Sequence, residues 1–145
     1  MAWKKIQKKL LQECNSGCKM AVSSMEQIQD YVTNKELDQV IAKSKENHQK
    51  LEAESTKMLK ELGEEQKEPG MMATAFSWFS TEVKMLMKDD NAQIAKIMMN
   101  GCNMGIQSIS ETMNKYDEAS KESKALAEKL VKEEENFMKE LKGYL

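Results

Sequence analysis

The chain has 145 residues and a net charge of −2, with a single proline and an abundance of residues that favour helices. Its acidic and basic residues are interleaved, as on solvated helix surfaces, and it lacks the basic stripe with aromatic residues that is typical of nucleic-acid binding. No apolar run approaches the length of a transmembrane helix, so we expect one all-α domain (1–145) without nucleic-acid or membrane partners.

Two predicted helices occupy the first part of the chain. Residues that can be buried recur every three or four positions, which indicates helical stripes. The first stripe comprises Trp3, Ile6, Leu10, Cys14, Cys18, Ala21, Met25, Ile28 and Val32, and the second comprises Leu37, Ile41, Ser44, His48, Leu51, Ser55, Met58 and Leu62. Thr33 or Asn34 is the expected N-cap of the second helix, and Gly63 is its expected C-cap. The short turn predicts an antiparallel hairpin over residues 3–62.

A long crossover, residues 63–89, leads to a second hairpin. Residues 63–70 contain the only proline and predict a linker, whereas residues 71–88 predict an extra helix that 89–91 interrupts. Whether residues 71–116 form one bent helix or two stays open. Two further stripes predict a hairpin over residues 90–142; they comprise Ile94, Met98, Cys102, Gly105, Ile109, Thr112 and Tyr116, then Leu126, Leu130, Glu134, Phe137 and Leu141.

A short repeat relates the two hairpins. The segment GCKM at residues 17–20 returns as GCNM at 101–104, and KENHQK at 45–50 aligns with EENFMK at 134–139. The hairpins therefore look like degenerate copies of one another. Each copy also has two small residues four positions apart, which should leave a shallow patch where a neighbouring backbone can come close: Gly17 with Ala21, and Gly101 with Gly105.

The duplicated hairpin with a long crossover resembles the ferritin-like superfamily, particularly the small bacterial domains of unknown function related to rubrerythrin. The resemblance covers both hairpins and implies a ferritin-like four-helix bundle. In that family the first helix of each hairpin supplies a Glu and the second supplies a Glu-x-x-His pair, and together they hold two iron ions. Here Lys45 stands in place of the first pair's Glu, and Phe137 in place of the second pair's His. We therefore expect that the di-iron chemistry has been lost.

The cysteines suggest a different site and a compartment. Three cysteines spread along helices do not predict a disulfide framework, and the N-terminal segment lacks the continuous apolar core of a secretory signal, so we expect a cytoplasmic protein. Folding each hairpin about its turn brings four possible zinc or copper ligands towards one level of the bundle: Cys18, His48, Cys102 and Glu134. A hydrogen-bonded core without any metal, in which His48 pairs with Glu134, is the alternative interpretation.

The crossover helix predicts a partner surface. Its apolar residues cover more than one face, and a helix outside a bundle can bury only one face against its own core. The expected interface comprises Phe76, Trp78, Phe79, Val83, Met85, Leu86 and Met87. The sequence therefore predicts a homodimer, or binding to another protein, and a non-enzymatic interaction, scaffold or stress-associated role. The alternative is a protein that binds zinc or copper.

Overall fold

Four long helices form most of the structure, which is a computed structural model. It describes residues 2–63, 79–87 and 89–145, without the side chains of residues 2–5 and 7. The helices are α1 (Ala2–Gln29), α2 (Lys35–Glu61), α3 (Asn91–Lys115) and α4 (Lys121–Leu141). Residues 79–84 are also helical, and Lys142–Tyr144 form a 3₁₀ turn. The described part contains no strand, so the predicted all-α class is confirmed.

Local side-chain chemistry sets the ends of α2. The side chain of Asn34 accepts a hydrogen bond from the backbone N–H of Leu37 at 3.0 Å, which confirms it as the N-cap. Gly63, just past the end of α2, has φ 74° and donates its N–H to the carbonyl of Lys60. A residue without a Cβ adopts that left-handed conformation at little cost, as expected of the glycine after a helix.

The chain is interrupted before α3. Asp89 has φ 62°, a conformation that a helix cannot contain, and Asp90 is the N-cap of α3. Residues 79–84 and α3 are therefore two helices and not one bent helix. The break lies beside the turn that joins α1 to α2, because the side chain of Asn91 accepts hydrogen bonds from the backbone N–H groups of Thr33 and Asn34.

The helices form a bundle of two hairpins. α1 packs on α2 and α3 packs on α4; α1 also lies beside α3, and α2 beside α4. Helix α1 contacts α4 across the middle as well, whereas α2 and α3 occupy the outer corners. Because α3 begins where α2 begins, the end of α2 lies about 40 Å away at the other end of the bundle. The connection between the hairpins therefore starts and finishes at opposite ends.

The buried core is divided into two clusters. The cluster near the α1–α2 turn includes Met25, Ile41, Phe79, Met98 and Phe137. The cluster at the other end includes Leu10, Leu51, Ile109, Leu126 and Leu130. The polar side chains of His48 and Glu134 lie at the level where the two clusters meet, since each falls between members of both clusters along its own helix. Each helix in the described ranges is too short or too polar to cross a membrane.

Candidate functional site

A histidine and a carboxylate meet at the centre of the bundle. His48 on α2 has 0% of its surface exposed, and Glu134 on α4 has 7% exposed. The Nε2 atom of His48 contacts Oε1 of Glu134 directly, and its Nδ1 atom lies 2.7 Å from the backbone oxygen of Ser44. That oxygen can only accept a hydrogen bond, so Nδ1 carries a hydrogen. The pair then holds one further proton, shared between Nε2 and Oε1.

The shared proton keeps this buried layer free of net charge. An imidazolium beside a carboxylate and a neutral imidazole beside a carboxylic acid both sum to zero, and either is tolerated in a core where a lone charge is not. Burial by itself lowers the pKa of His48, but its hydrogen bond to Glu134 and the negative charge of that residue outweigh the burial. The Ser44 carbonyl and Glu133 act in the same direction. The pKa of His48 is therefore raised.

The thiols near this layer are protonated. Burial, with the charge of Glu13, raises the pKa of Cys14 to about 12. Burial also raises the pKa of Cys18 and of Cys102, and both are further raised by the charge of Glu134. Since the thiolate is the form that attacks electrophiles and binds metals, these cysteines are weak nucleophiles. All three are free and buried.

The structure brings together part of the predicted metal-ligand set. His48 and Glu134 are in contact, Cys102 is hydrogen-bonded to Glu134, and Cys18 lies within electrostatic range of the same carboxylate. However, within the described ranges no group of three or more His, Cys, Asp or Glu side chains is placed to hold a metal ion. The set of Cys18, His48, Cys102 and Glu134 stays a prediction.

The two departures from the ferritin-like pattern each have a place in the structure. Lys45 is half-buried and donates a hydrogen bond from Nζ to Oε1 of Gln29 at 3.0 Å. Phe137 is buried in the cluster near the α1–α2 turn. Neither side chain therefore leaves an unfilled ligand position beside His48 and Glu134.

A groove lies between α1 and α3 and reaches the central pair. Its volume is about 210 Å³, and its walls are the two copies of the repeat, with Gly17 and Met20 on α1 facing Gly101, Cys102 and Met104 on α3. Leu130, Glu134 and Phe137 of α4 form its floor. The remaining lining residues are Glu13, Ala21, Ser24, Met25, Phe79, Met98, Gly105, Ser108 and Ile109.

The glycines of the repeat leave space and do not serve close backbone packing. Among the described residues, a Cβ added at Gly101 would meet nothing within 4 Å. A Cβ at Gly17 would lie 3.8 Å from Leu130, and one at Gly105 would lie 3.6 Å from the carboxyl of Glu134. These neighbours are side chains of α4, which project between α1 and α3. The predicted close approach of a neighbouring backbone is therefore not what these glycines provide.

The sequence did not predict the groove, since Met25 and Met98 there are only members of helical stripes and Met20 and Met104 are only part of the repeat. Met25 and Met98 belong to the buried core and also line the groove, together with Met20 and Met104. The repeated GCxM spacing was the available signal, since equivalent positions on two antiparallel neighbours can face one space. Periodicity alone could not show that the space stays open.

The predicted interface residues divide between two environments. Phe76 and Trp78 lie outside the described residues. Phe79 and Val83 are buried in the protein's own core, and Leu86 is half-buried against it. Met85 and Met87 are 72% and 76% exposed. One face of this segment is thus turned into the bundle, and two methionines face outward.

The raised pKa of His48 predicts a loss of stability as pH rises. The unfolded chain releases the histidine proton near pH 6.5, whereas the folded chain keeps it to higher pH. The stabilising contribution is fully present below about pH 6.5 and is lost as pH rises through the folded pKa, by up to about 1.4 kcal/mol per pH unit. Urea unfolding across this range should show the decline, and His48→Gln should remove it.

Because His48 is the only histidine in the chain, its ring proton resonances give an independent measurement of the same pKa. A folded-state value at or below that of a free histidine would contradict the shared-proton arrangement.

The raised thiol pKa values predict slow reaction with a disulfide reagent. At about pH 8 the thiolate fraction of Cys14 should be about a thousandfold below that of an unperturbed cysteine, so native protein should react far more slowly than unfolded protein. Ellman's reagent with and without guanidinium measures both rates, and all three thiols should react once the chain is unfolded. One rapidly reacting thiol in the native protein would show that a cysteine is activated.

No protein-family model matches this chain, and neither a curated protein nor a solved structure matches it. The groove between α1 and α3, and the His48–Glu134 pair beneath it, are therefore the basis for the function proposed below.

Proposed function

We propose that this chain is a non-enzymatic binding protein whose binding site is the groove between α1 and α3. The observation that carries the proposal is an open cavity of about 210 Å³ whose walls are glycines, other small residues and methionines. Both features lower the stability of the fold, because glycine disfavours a helix and an unfilled apolar space lacks packing contacts. A binding role for the groove gives a reason for them. Flexible methionines can adapt to an inserted apolar group, which is their common use at binding surfaces.

The side chains beside the groove support binding over catalysis. Both ring nitrogens of His48 are committed, one to the Ser44 carbonyl and the other to Glu134. The three thiols are protonated and buried, so each is a weak nucleophile. A general base needs a free acceptor within reach of a substrate, and the only histidine of the chain does not offer one.

A ferritin-like origin remains part of the proposal. Its support is the connectivity: two hairpins, a connection whose ends lie at opposite ends of the bundle, α1 beside α3 and α2 beside α4. On this proposal the bundle is a bacterial, cytoplasmic relative in which Lys45 and Phe137 replaced iron ligands. The free thiols of all three cysteines agree with a reducing compartment.

The second candidate is a protein that binds zinc or copper, and the observation that favours it is the meeting of His48, Glu134 and Cys102. The Nδ1–H of His48 is held by a backbone carbonyl, which is the usual orientation of a histidine whose other nitrogen binds a metal. The test is whether zinc or copper stays bound through gel filtration. Metal that the wild type retains and a Cys102→Ser variant loses would favour this candidate over a metal-free binding groove.

Filling the groove tests the leading proposal. A leucine at position 101 points into space that is open in the described part, so Gly101→Leu should lower the affinity for the neutral dye N-phenyl-1-naphthylamine at least about tenfold. The variant should not unfold, because leucine favours a helix over glycine by roughly 0.5–1 kcal/mol. Dye fluorescence titrations and urea unfolding measure the two effects.

The matched control is Gly143→Leu, which adds the same side chain at an exposed glycine outside the groove, where a Cβ also meets no described atom within 4 Å. The Gly143→Leu variant should bind the dye with the same affinity as the wild type. Equal affinity for the wild type and Gly101→Leu would rule out the groove as the binding site.

A homodimer through residues 76–87 is a further part of the proposal, supported by the exposure of Met85 and Met87 beside a buried face. Replacing both by lysine should weaken self-association at least about tenfold, since two charges would be buried in the interface. Sedimentation equilibrium measures this. The control is Leu145→Lys, a change at another exposed apolar residue. A monomer at every concentration, or an unaltered dimer in the double variant, would contradict the assignment.

A further inference from the structure

We propose that the ligand of the groove is a small amphiphilic amine, with its ammonium group at Glu134 and its apolar tail at the end of the groove near Phe79. This inference rests on the proposed binding function and names the chemistry of the ligand. Three observations carry it: one end of the groove is entirely apolar, the charged residues of its lining are both acidic, and residue 105 has no side chain to cover the carboxylate of Glu134.

The groove is long and has an apolar end. Its lining on α1 runs from Glu13 to Met25, which corresponds to about 18 Å along the helix. At the far end Met25, Phe79, Met98 and Phe137 line it, and all four belong to one buried apolar cluster. This end suits an alkyl or aryl group, because it offers apolar surface and flexible thioethers that can adapt to its shape.

The other half of the groove contains both carboxylates of the lining, beside the apolar side chains of Ile109 and Leu130. Glu134 lies at the level of Gly105, and Glu13 lies further towards the opposite end. Among the described lining residues there is no lysine and no histidine. An anionic ligand would therefore meet Glu13, which has no cation beside it among the described lining residues, and a Glu134 already paired with His48, which is unfavourable in a partly enclosed site.

The charges balance with one positive ligand. His48 and Glu134 sum to zero because they share a proton, so the carboxylate of Glu13 is the one formal charge of the described lining that lacks a counter-charge. A monocation brings the sum to zero, whereas a neutral ligand leaves it unbalanced. Charge complementarity of this kind decides which ligand is preferred among molecules with the same tail.

The carboxylate of Glu134 can be approached from the groove, where it already accepts a hydrogen bond from the Cys102 thiol. His48 contacts Oε1, and Oε2 lies 3.6 Å from the position that a Cβ of residue 105 would occupy. Because that residue is glycine, a side chain does not cover Oε2 there. An ammonium group in the groove could approach to hydrogen-bond distance and form a charge-assisted bond, which is stronger than a neutral one.

The test compares three probes with one tail: octylamine, 1-octanol and octanoate, each competing with N-phenyl-1-naphthylamine at about pH 7. Octylamine is protonated there, as a lysine side chain would be. It should bind about tenfold more tightly than octanol, and octanoate should bind more weakly than octanol. Glu134→Gln should bring octylamine to the level of octanol, and Glu135→Gln, an exposed residue on the same helix, should change nothing.

A second variant covers the case in which Glu134→Gln does not fold. Gly105→Ala places a methyl group 3.6 Å from Oε2 at ordinary contact distance and favours the helix, so the protein should remain folded. It should weaken octylamine binding more than octanol binding.

The possible outcomes separate the two proposals. Equal binding of octylamine and octanol, both lost in Gly101→Leu, would overturn the amine assignment and leave the groove as a binding site. If octanoate bound more tightly than octylamine and octanol, the amine assignment would likewise be overturned and the groove would remain a binding site. Failure of the dye and all three probes to bind would overturn the proposed function together with this inference.

Discussion

The proton shared by His48 and Glu134 is the constraint on which the centre of this bundle depends. Without it, the interior would contain an unpaired carboxylate or a histidine facing an acceptor with no hydrogen between them. This contact joins two residues that are 86 positions apart in the sequence, so it links the first hairpin to the second. It also fixes how far along their lengths α2 and α4 lie against each other. A polar contact in a core restricts the register of helices more than interchangeable apolar side chains do.

The groove follows from the position of that pair. Glu134 is long and projects from α4 between α1 and α3, so the helices that flank it carry small residues where its carboxyl lies. Gly105 shows this directly, since its missing side chain would contact the carboxyl group. Gly101 has no such neighbour among the described residues, so accommodation of Glu134 does not explain it. The groove is thus wider at Gly101 than the side chain of Glu134 requires. This additional space is the argument for a ligand.

Function on this account has a cost in stability. Glycine residues in the middle of α1 and α3 sacrifice helix propensity, and the unfilled space sacrifices dispersion contacts. Two apolar clusters on either side of the polar layer, together with long helices, stabilise the fold in spite of these losses. A bundle of this size can therefore keep an open groove at its centre without losing its shape.

The sequence by itself determined the local features: helical stripes with spacings of three and four, an N-cap at Thr33 or Asn34, and Gly63 after the end of α2. It left open whether the chain breaks near Asp89, which the structure decided. It also predicted one level for His48 and Glu134: a short turn sets each beside a cysteine of its own hairpin, Cys18 or Cys102, and the repeat relates those two cysteines. Only the tertiary structure decided that Lys45 hydrogen bonds to Gln29, that four methionines line a cavity, and that the glycines leave it open. Periodicity encodes which face of a helix is buried, whereas the space between two buried faces depends on which side chains of a third helix project between them.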